Sequence, residues 1–412
     1  MTALPTRYRP DSAHGFLQNP GDGAPWRNEA LAQLKARGIP TPKLERWRYT
    51  NLLSFEKSNA TPAEKPALAT NPVALPWMIQ NSRKLIFANG HLVFGDKRLT
   101  LSSHNMDVPF DAAPMDKFGD GMLWALNTAF TQDGPYLNLT EDSIVEIIHL
   151  GQGHDHVQLA SPRAVIEIAA NLNVTIIEQF MPVDVPTVHT NAAMEIEVAT
   201  GAKLTHVRVQ EEGMDRTMLS TTHVRVAKDA TYDAVFMSTG AALSRQEYWV
   251  ELLESGSHAA IRGCQLVNGR QHMDTTVLIE HAAPDTSSNQ TIRNVLAGNA
   301  VGVFQGKIHV HQIAQRTDGY QLCNTLMLSD KVSMNTKPEL EIYADDVKCS
   351  HGTTTGAMDD TPLFYLRSRG IPENEAKRML LTAFIGDLYD HLDEKIKAAL
   401  MLRAEGWLNE LG

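Results

Sequence analysis

Between about residue 135 and residue 350 this chain is a near-continuous series of short strand-like segments with no helical pattern between them. They include "SIVEIIHL", "AVIEIAA", "NVTIIEQF", "AMEIEVA", "LTHVRVQ", "TTVLIEH", "GKIHVHQI" and "LEIYA". Several alternate strictly. In "AMEIEVA", Met194, Ile196 and Val198 share one face while Glu195 and Glu197 take the other, the period of two that a half-buried strand requires. Short turn signatures recur before strands, in "TGAKL", "KDATY", "SGSHA", "AGNAV" and "SDKVS". Their marked Gly or Asp positions fall about 27 to 32 residues apart with one longer gap. A parallel sheet wound with helices would need a 10-to-15-residue helical pattern between strands, and none is present. A β-sandwich and a coiled β-solenoid with one or two strands per turn both fit the pattern, and the length of the run favours the solenoid.

The flanks differ in kind. Residues 1–134 read as a mostly helical unit with one hairpin. "NEALAQLKARG" places Ala30, Leu31 and Leu34 on one helical face with Gly38 as the stop, and "KLIFANGHLVF" sets two apolar runs about Asn89-Gly90, the pair a type I′ turn prefers. "SNATPAEKPALATNPVALP" reads as an exposed linker, and "DGMLWALNTAFTQDG" as a helix ended at Asp133-Gly134. Residues 353–412 read as helices again. Thr361 is a candidate N-cap with Pro362 after it and Gly370 beyond the end. "PENEAKRMLLTAFIGDLYDHL" carries an apolar stripe of Ala376, Met379, Leu380, Ala383, Phe384 and Leu388, and the last helix a similar face of Ile396, Ala399, Leu400 and Trp407. Such helices would either cap the end of a solenoid or offer their stripe to a partner; from the residues alone, capping is favoured.

Composition excludes several classes. The net charge of −11 opposes phosphate-tracking nucleic-acid binding and docking on anionic membranes, and no apolar run is long enough to span a bilayer. Three widely spaced cysteines, Cys264, Cys323 and Cys349, form no disulfide framework. The first residues contain no apolar leader segment, so a cytoplasmic location is expected. No phosphate loop, dinucleotide fingerprint, zincin helix or nucleophile elbow occurs, which favours a scaffold over an enzyme.

Two stretches carry possible chemistry. In "LEIYADDVKCSHGTTTG", if the strand continues through Asp345, Val347, Cys349 and His351 share a face with neighbouring Cβ atoms roughly 7 Å apart. A thiolate and an imidazole are a partial ligand set for iron or zinc, two short of a closed site. The same pair would serve as a nucleophile with its base, or simply as a buried thiol and a turn histidine. In "KIHVHQIAQRT", His309 and His311 form an H-x-H pair on one side of a strand, but the residues that follow supply no carboxylate. "GHDHV" (His154, Asp155, His156) is weaker still. A metal-dependent enzyme using His309 and His311 is the alternative to a scaffold, and a carbohydrate-processing β-helix a third possibility.

The segments "VFQGKIHVHQIAQRTDGYQLCN", "KPELEIYADDVKCSHGTTTG" and "LFYLRSRGI", with "ERWRYTNL" and "HMDTTVLIEHAAPDTSSNQTIRNVL" upstream, give the chain a resemblance to the SufB/SufD family of iron–sulfur cluster assembly scaffolds. It covers nearly the whole chain, and "DDVKCSHG" is similar to the SufD branch rather than to SufB. The resemblance implies a mainly β fold: a right-handed parallel β-helix core, here 135–352, between helical N-terminal (1–134) and C-terminal (353–412) domains. It implies a non-catalytic subunit in complex with a SufB-like paralogue and a SufC-like ABC-type ATPase, with a homodimer open to the isolated chain. Cys349 and His351 match positions implicated where a transient cluster, shared with SufB, gains ligands; none is expected in the isolated chain. The C-terminal helices would dock the ATPase, through Phe364, Tyr365, Arg367, Arg369, Met379, Leu380 and Phe384. Cys323 departs from the SufD pattern, falling where SufB carries a cysteine. It would assist ligation or be a small core residue, and the latter is favoured. His309 and His311 are outside the family pattern and inherit no role from it.

Overall fold

The structure, a computed structural model, describes residues 8–9, 24–66, 75–103, 121–153, 155–182 and 188–411. From Pro135 onward the chain winds as a parallel β-solenoid of about seven turns. Each turn contributes one strand to each of two facing sheets. The first sheet runs from Pro135–Leu139 through Leu243–Leu252, His272–His281 and Val301–Val310 to Ser333–Ile342. The second runs from Ser143–Gly151 through His258–Val267, Ser287–Leu296 and Thr317–Met327 to Val347–Gly356. One turn takes 26 residues at its shortest, Met218 over Ser244, and 32 at its longest, Val301 over Ser333.

The longer gap in the turn signatures has a structural cause: the marks belong to two different corners. Asn171, Gly201, Asp229, Gly256, Asp285 and Arg316 stack in one column, all with positive φ. Each donates its N–H to a carbonyl of the next turn, as Gly201 does to Lys228 and Asp285 to Gln315. Gly269 and Gly298 belong to the other corner, where Asn299 N–H reaches the Gly269 carbonyl. The left-handed conformation selects Gly, Asn and Asp because a Cβ clashes there and a short amide or carboxylate tolerates it best. Arg316 is the exception and is held by its ion pair with Asp285 at 2.5 Å.

Inward-facing residues of both sheets form one continuous core, with Ile176, Leu204, Val224, Tyr232, Phe236, Tyr248, Ile292 and Phe304 among its members. Each helical flank covers the outer face of one sheet. The helices Pro25–Arg37 and Met122–Phe130 pack over the first sheet, burying Leu31, Leu34 and Phe130 together with Leu219 and Leu243. The helices Glu373–Gly386 and Glu394–Glu410 pack over the second, where Leu381, Ile385, Tyr389 and Leu400 meet Val207, Val235, Cys264 and Val295. Tyr389 Oη lies 3.0 Å from Cys264 Sγ, and Arg293 is paired with Asp387.

Several local expectations shift. The C-terminal helices lie along a face of the solenoid and do not cap its end. The stripe of the penultimate helix is rotated: Ala376, Leu381 and Ile385 are buried while Met379 and Ala383 face solvent. The helix before it is Asp360–Ser368, capped by the Asp359 carboxylate on Thr361 N–H, so the cap lies two residues earlier than Thr361. The Met122 helix ends at Phe130, not at Asp133-Gly134. Within the expected linker, Ala60 and Ala63 are buried and Thr61–Pro62 pairs with Gln158–Ala160; positions 67–74 lie outside the described residues. The hairpin forms as expected, Arg83–Ala88 with His91–Gly95 about Asn89 and Gly90, both at positive φ. Its first strand then extends the second sheet by pairing with Ser143–Gly151.

"ERWRYTNL" is anchored on the first sheet. The Arg245 guanidinium stacks on Trp47 at 3.9 Å, Arg245 and Gln305 both donate to the Arg46 carbonyl, and Thr50 Oγ1 donates to Asp274. Arg245 and Asp274 form a fully buried ion pair at 2.6 Å. Sequence reading singled out neither partner, because they are 29 positions apart and become neighbours only through the register of the turns.

Candidate site at the open end of the solenoid

No described strand pairs with the outer edge of the last turn. "LEIYA" does not continue into "DDVKCSHG" as one strand: the first sheet's last strand ends at Ile342, residues 343–346 turn the corner, and Val347–Gly356 lies in the other sheet. Both terminal strands are ten residues long and leave one edge of backbone N–H and C=O groups without a ladder partner. Tyr320, Leu322 and Tyr343 are exposed beside this end.

Parity within the last strand holds, and it aims the chemistry inward. Cys349 sits in register with Gly319 and His351 with Gln321, both inward positions of the preceding strand. Gly319 leaves room beneath the thiol: a Cβ there would stand 3.5 Å from Cys349 Sγ. Cys349 packs, half-buried, against the cluster of Ile308, Val310, Ala314 and Ala344, whereas His351 is exposed. Burial pushes the Cys349 thiol above its ordinary value, with the Asp318 carboxylate adding to the effect and a backbone hydrogen bond from Gly319 opposing it. Two ligands at the mouth of the solenoid interior can hold part of a metal centre, and among the described residues no third His, Cys, Asp or Glu joins them in a three-ligand group.

Cys323 is fully buried in the main core, accepts a hydrogen bond from Asn294 Nδ2 and has its thiol pushed up to about 12 by burial. It pairs with Thr353, four residues along the strand from Cys349. That is about 13 Å at the rise of an extended chain, too far for one ion. Cys264 is likewise buried, under Tyr389.

His309 and His311 face outward on the first sheet, away from Cys349. The carboxylate that local sequence lacks comes from neighbouring turns, since Glu280 and Glu341 flank His309 in register. His154 lies outside the described residues; Asp155 and His156 pair with each other at 2.8 Å on the surface.

Of the residues expected to meet an ATPase, Phe364, Tyr365, Arg367, Arg369 and Met379 are exposed, whereas Leu380 and Phe384 are partly covered by their own fold. The helix Asp360–Ser368 buries none of its side chains. A groove of about 670 Å³ runs beneath it, lined by Met358, Leu363, Leu381 and Leu408 among others. No described helix is long and apolar enough to cross a membrane.

Comparison with known proteins places this geometry. The family model described as "SUF system FeS cluster assembly, SufBD core domain" matches residues 149–384. The chain is 29% identical to the iron–sulfur cluster assembly protein SufD of Escherichia coli, over 92% of each chain. It is 28% identical to a SufBD family protein of Synechocystis, over 89% of this chain and 86% of that one. It is also 32% identical to a SufBD family protein of Mycobacterium leprae, over 47% of this chain and 52% of that one. With the core-domain match covering more than half of the chain and a SufD relative aligned nearly end to end, the chain belongs to the SufBD family of the SUF iron–sulfur cluster assembly system and is SufD-like within it.

Proposed function

We propose that this chain is a non-catalytic scaffold subunit of iron–sulfur cluster assembly whose open solenoid end pairs with that of a SufB-type paralogue. The observation that carries this is the outer edge of the last turn, with which no described strand pairs. A long edge strand is a template for another strand, and soluble proteins usually blunt such edges with charges, proline or a covering segment. Of the two edge strands, Ser333–Ile342 is blunted by Pro338 and by Lys337, Glu339 and Glu341, whereas Val347–Gly356 contains no proline and one lysine, Lys348, and is flanked by exposed Tyr320 and Leu322. A second solenoid docked edge to edge supplies the missing hydrogen bonds and closes the interior over Cys349 and His351. The nascent cluster is then cargo held between subunits, Cys349 and His351 giving part of its ligand set and the paralogue the rest. In the absence of the paralogue the same edge would accept a second copy of this chain. The unburied helix Asp360–Ser368, with Phe364 and Tyr365 exposed on it, is the docking surface for an ABC-type ATPase of the SufC kind. The reading requires no catalytic residue in this chain, and its place of action is the cytoplasm.

The test is anaerobic co-purification with SufB- and SufC-type partners, scoring complex formation, iron and sulfide. Cys349→Ala and His351→Ala should leave the complex intact and lower iron and sulfide. Unchanged cluster content in both variants would remove their ligand role, and failure of the unmodified chain to form the complex would overturn the assembly reading.

A further inference from the structure

We infer a second metal site, separate from Cys349 and His351, on the outer face of the first sheet: Glu280, His309 and His311 form a binding site for a divalent first-row transition ion. Among the described residues these three are a group whose potential ligand atoms all come within 4.8 Å of one another. The ladder builds it. Glu280 and His309 are register partners on adjacent strands, and His309 Nδ1 stands 3.3 Å from Glu280 Oε1. That separation is what two atoms about 2.1 Å from a common tetrahedral centre would show. His311 stands just past the strand end, its backbone N–H fixed on the His281 carbonyl, and its ring centroid is 4.7 Å from that of His309.

Two further observations point to a cation. His311 Nε2 is buried and has no hydrogen-bond partner. A protonated His309 bridging Glu280 and Glu341 would hold the ladder together yet leave that nitrogen unsatisfied, whereas a bound ion uses it. On the far side of the His309 ring, Nε2 lies 4.0 Å from Glu341 Oε1. Glu341 is itself held by Lys307 and, at 2.5 Å, by Tyr343 Oη. The 4.0 Å gap to His309 is beyond hydrogen-bond length, so Glu341 contributes negative charge beside the imidazole and no direct bond to it. Lys307 pairs with Glu341, so Glu280 is the carboxylate left to ligate.

Two imidazoles and one carboxylate suit Fe²⁺, Co²⁺ or Zn²⁺ rather than Mg²⁺ or Ca²⁺. A cleft of about 330 Å³, walled by Glu45, Arg46 and Lys337, opens beside Glu280 and His309 and leaves room for water to complete the shell.

The experiment uses the full chain, stripped of metal and titrated anaerobically with Co²⁺, read by its visible d–d absorption. The expected result is one saturable Co²⁺ per chain, displaced by Zn²⁺, which binds such sites more tightly. Glu280→Gln and His311→Gln should each weaken binding by at least about tenfold. Cys349→Ala should leave it unchanged. His311 lies outside the strand, so His311→Gln tests the site without disturbing the ladder, and circular dichroism verifies the fold of each variant. Absence of saturable binding, retention of full affinity in His311→Gln, or loss of binding in Cys349→Ala would each overturn the site. Because the readout is Co²⁺ on the isolated chain, its outcome is independent of cluster assembly with partners.

Discussion

Replacing Asp274 with alanine isolates the contact that ties the N-terminal segment to the solenoid. Its carboxylate is fully buried, pairs with Arg245 Nη1 at 2.6 Å, and accepts hydrogen bonds from Thr50 Oγ1 at 2.5 Å and Thr276 Oγ1 at 3.1 Å. Removing one partner of a buried ion pair costs about 3–5 kcal/mol, because the other charge is left desolvated without compensation. Here Glu247 still receives Arg245 Nε at 2.9 Å and Nη2 at 2.7 Å, which retains part of the compensation and places the cost near the lower figure, about 3 kcal/mol. The same loss leaves Thr50 Oγ1 with His272 Nε2 alone, at 3.0 Å, and loosens the guanidinium that stacks on Trp47 and donates to Arg46. Urea unfolding followed by tryptophan fluorescence should therefore show the destabilisation, and limited trypsinolysis should open Arg46 and Arg48 earlier than in the unmodified chain. Asp274→Ala combined with Arg245→Met should be less destabilised than the sum of the two single changes by about 1 kcal/mol or more, since removing Arg245 costs Glu247 its partner but leaves no unpaired cation in the core. A loss below about 1 kcal/mol in the single variant, or simple additivity in the pair, would refute the reasoning.

Thiol labelling of the native chain should modify Cys349, faster as pH rises because its thiol is shifted upward, and spare Cys264 and Cys323 until unfolding; comparable labelling of either core thiol would contradict their burial. His281, buried neutral between Thr286 and Ser288, has its pKa lowered to about 3 by burial. The unfolded value is about 6.5, so its contribution is intact above that pH and is lost as pH falls toward 3, approaching about 1.4 kcal/mol per unit. His281→Gln should flatten the acid limb of the stability curve, and an unaltered limb would exclude His281 as its source. Gly256→Ala should destabilise by more than about 1 kcal/mol, measured by urea midpoint, because φ is +79° and the new Cβ would stand 2.0 Å from Asp229 Oδ1. Tyr389→Ala should cost about 3–5 kcal/mol and speed hydrogen exchange through the last two helices, which that ring pins to the second sheet; exchange unchanged there would place their anchor elsewhere.

Much of the architecture was legible because it rests on local chemistry. Alternation in "AMEIEVA", the turn pair Asn89-Gly90 and the helix face of Ala30, Leu31 and Leu34 each depend on residues a few positions apart, and each formed where the pattern placed it. The repeat was legible only in part. Gly201, Asp229 and Gly256 mark a corner by their tolerance of positive φ, while Arg316 occupies the same corner through an ion pair with Asp285, which no local preference reveals. Parity placed Cys349 and His351 on one face of a strand, yet whether that face looked into the solenoid or out to solvent was not contained in it.

What the sequence by itself determined is therefore the type of element and its period, through backbone sterics and the spacing of apolar side chains. What only the tertiary structure decided is which turn stacks on which. Register brings Glu280 to His309 and Asp274 to Arg245 across about one turn of chain, lays the terminal helices along the second sheet, and leaves the outer edge of the last turn without a described strand partner. These are long-range contacts, selected by the total surface buried when every turn packs on the next, and no short window of sequence carries that sum.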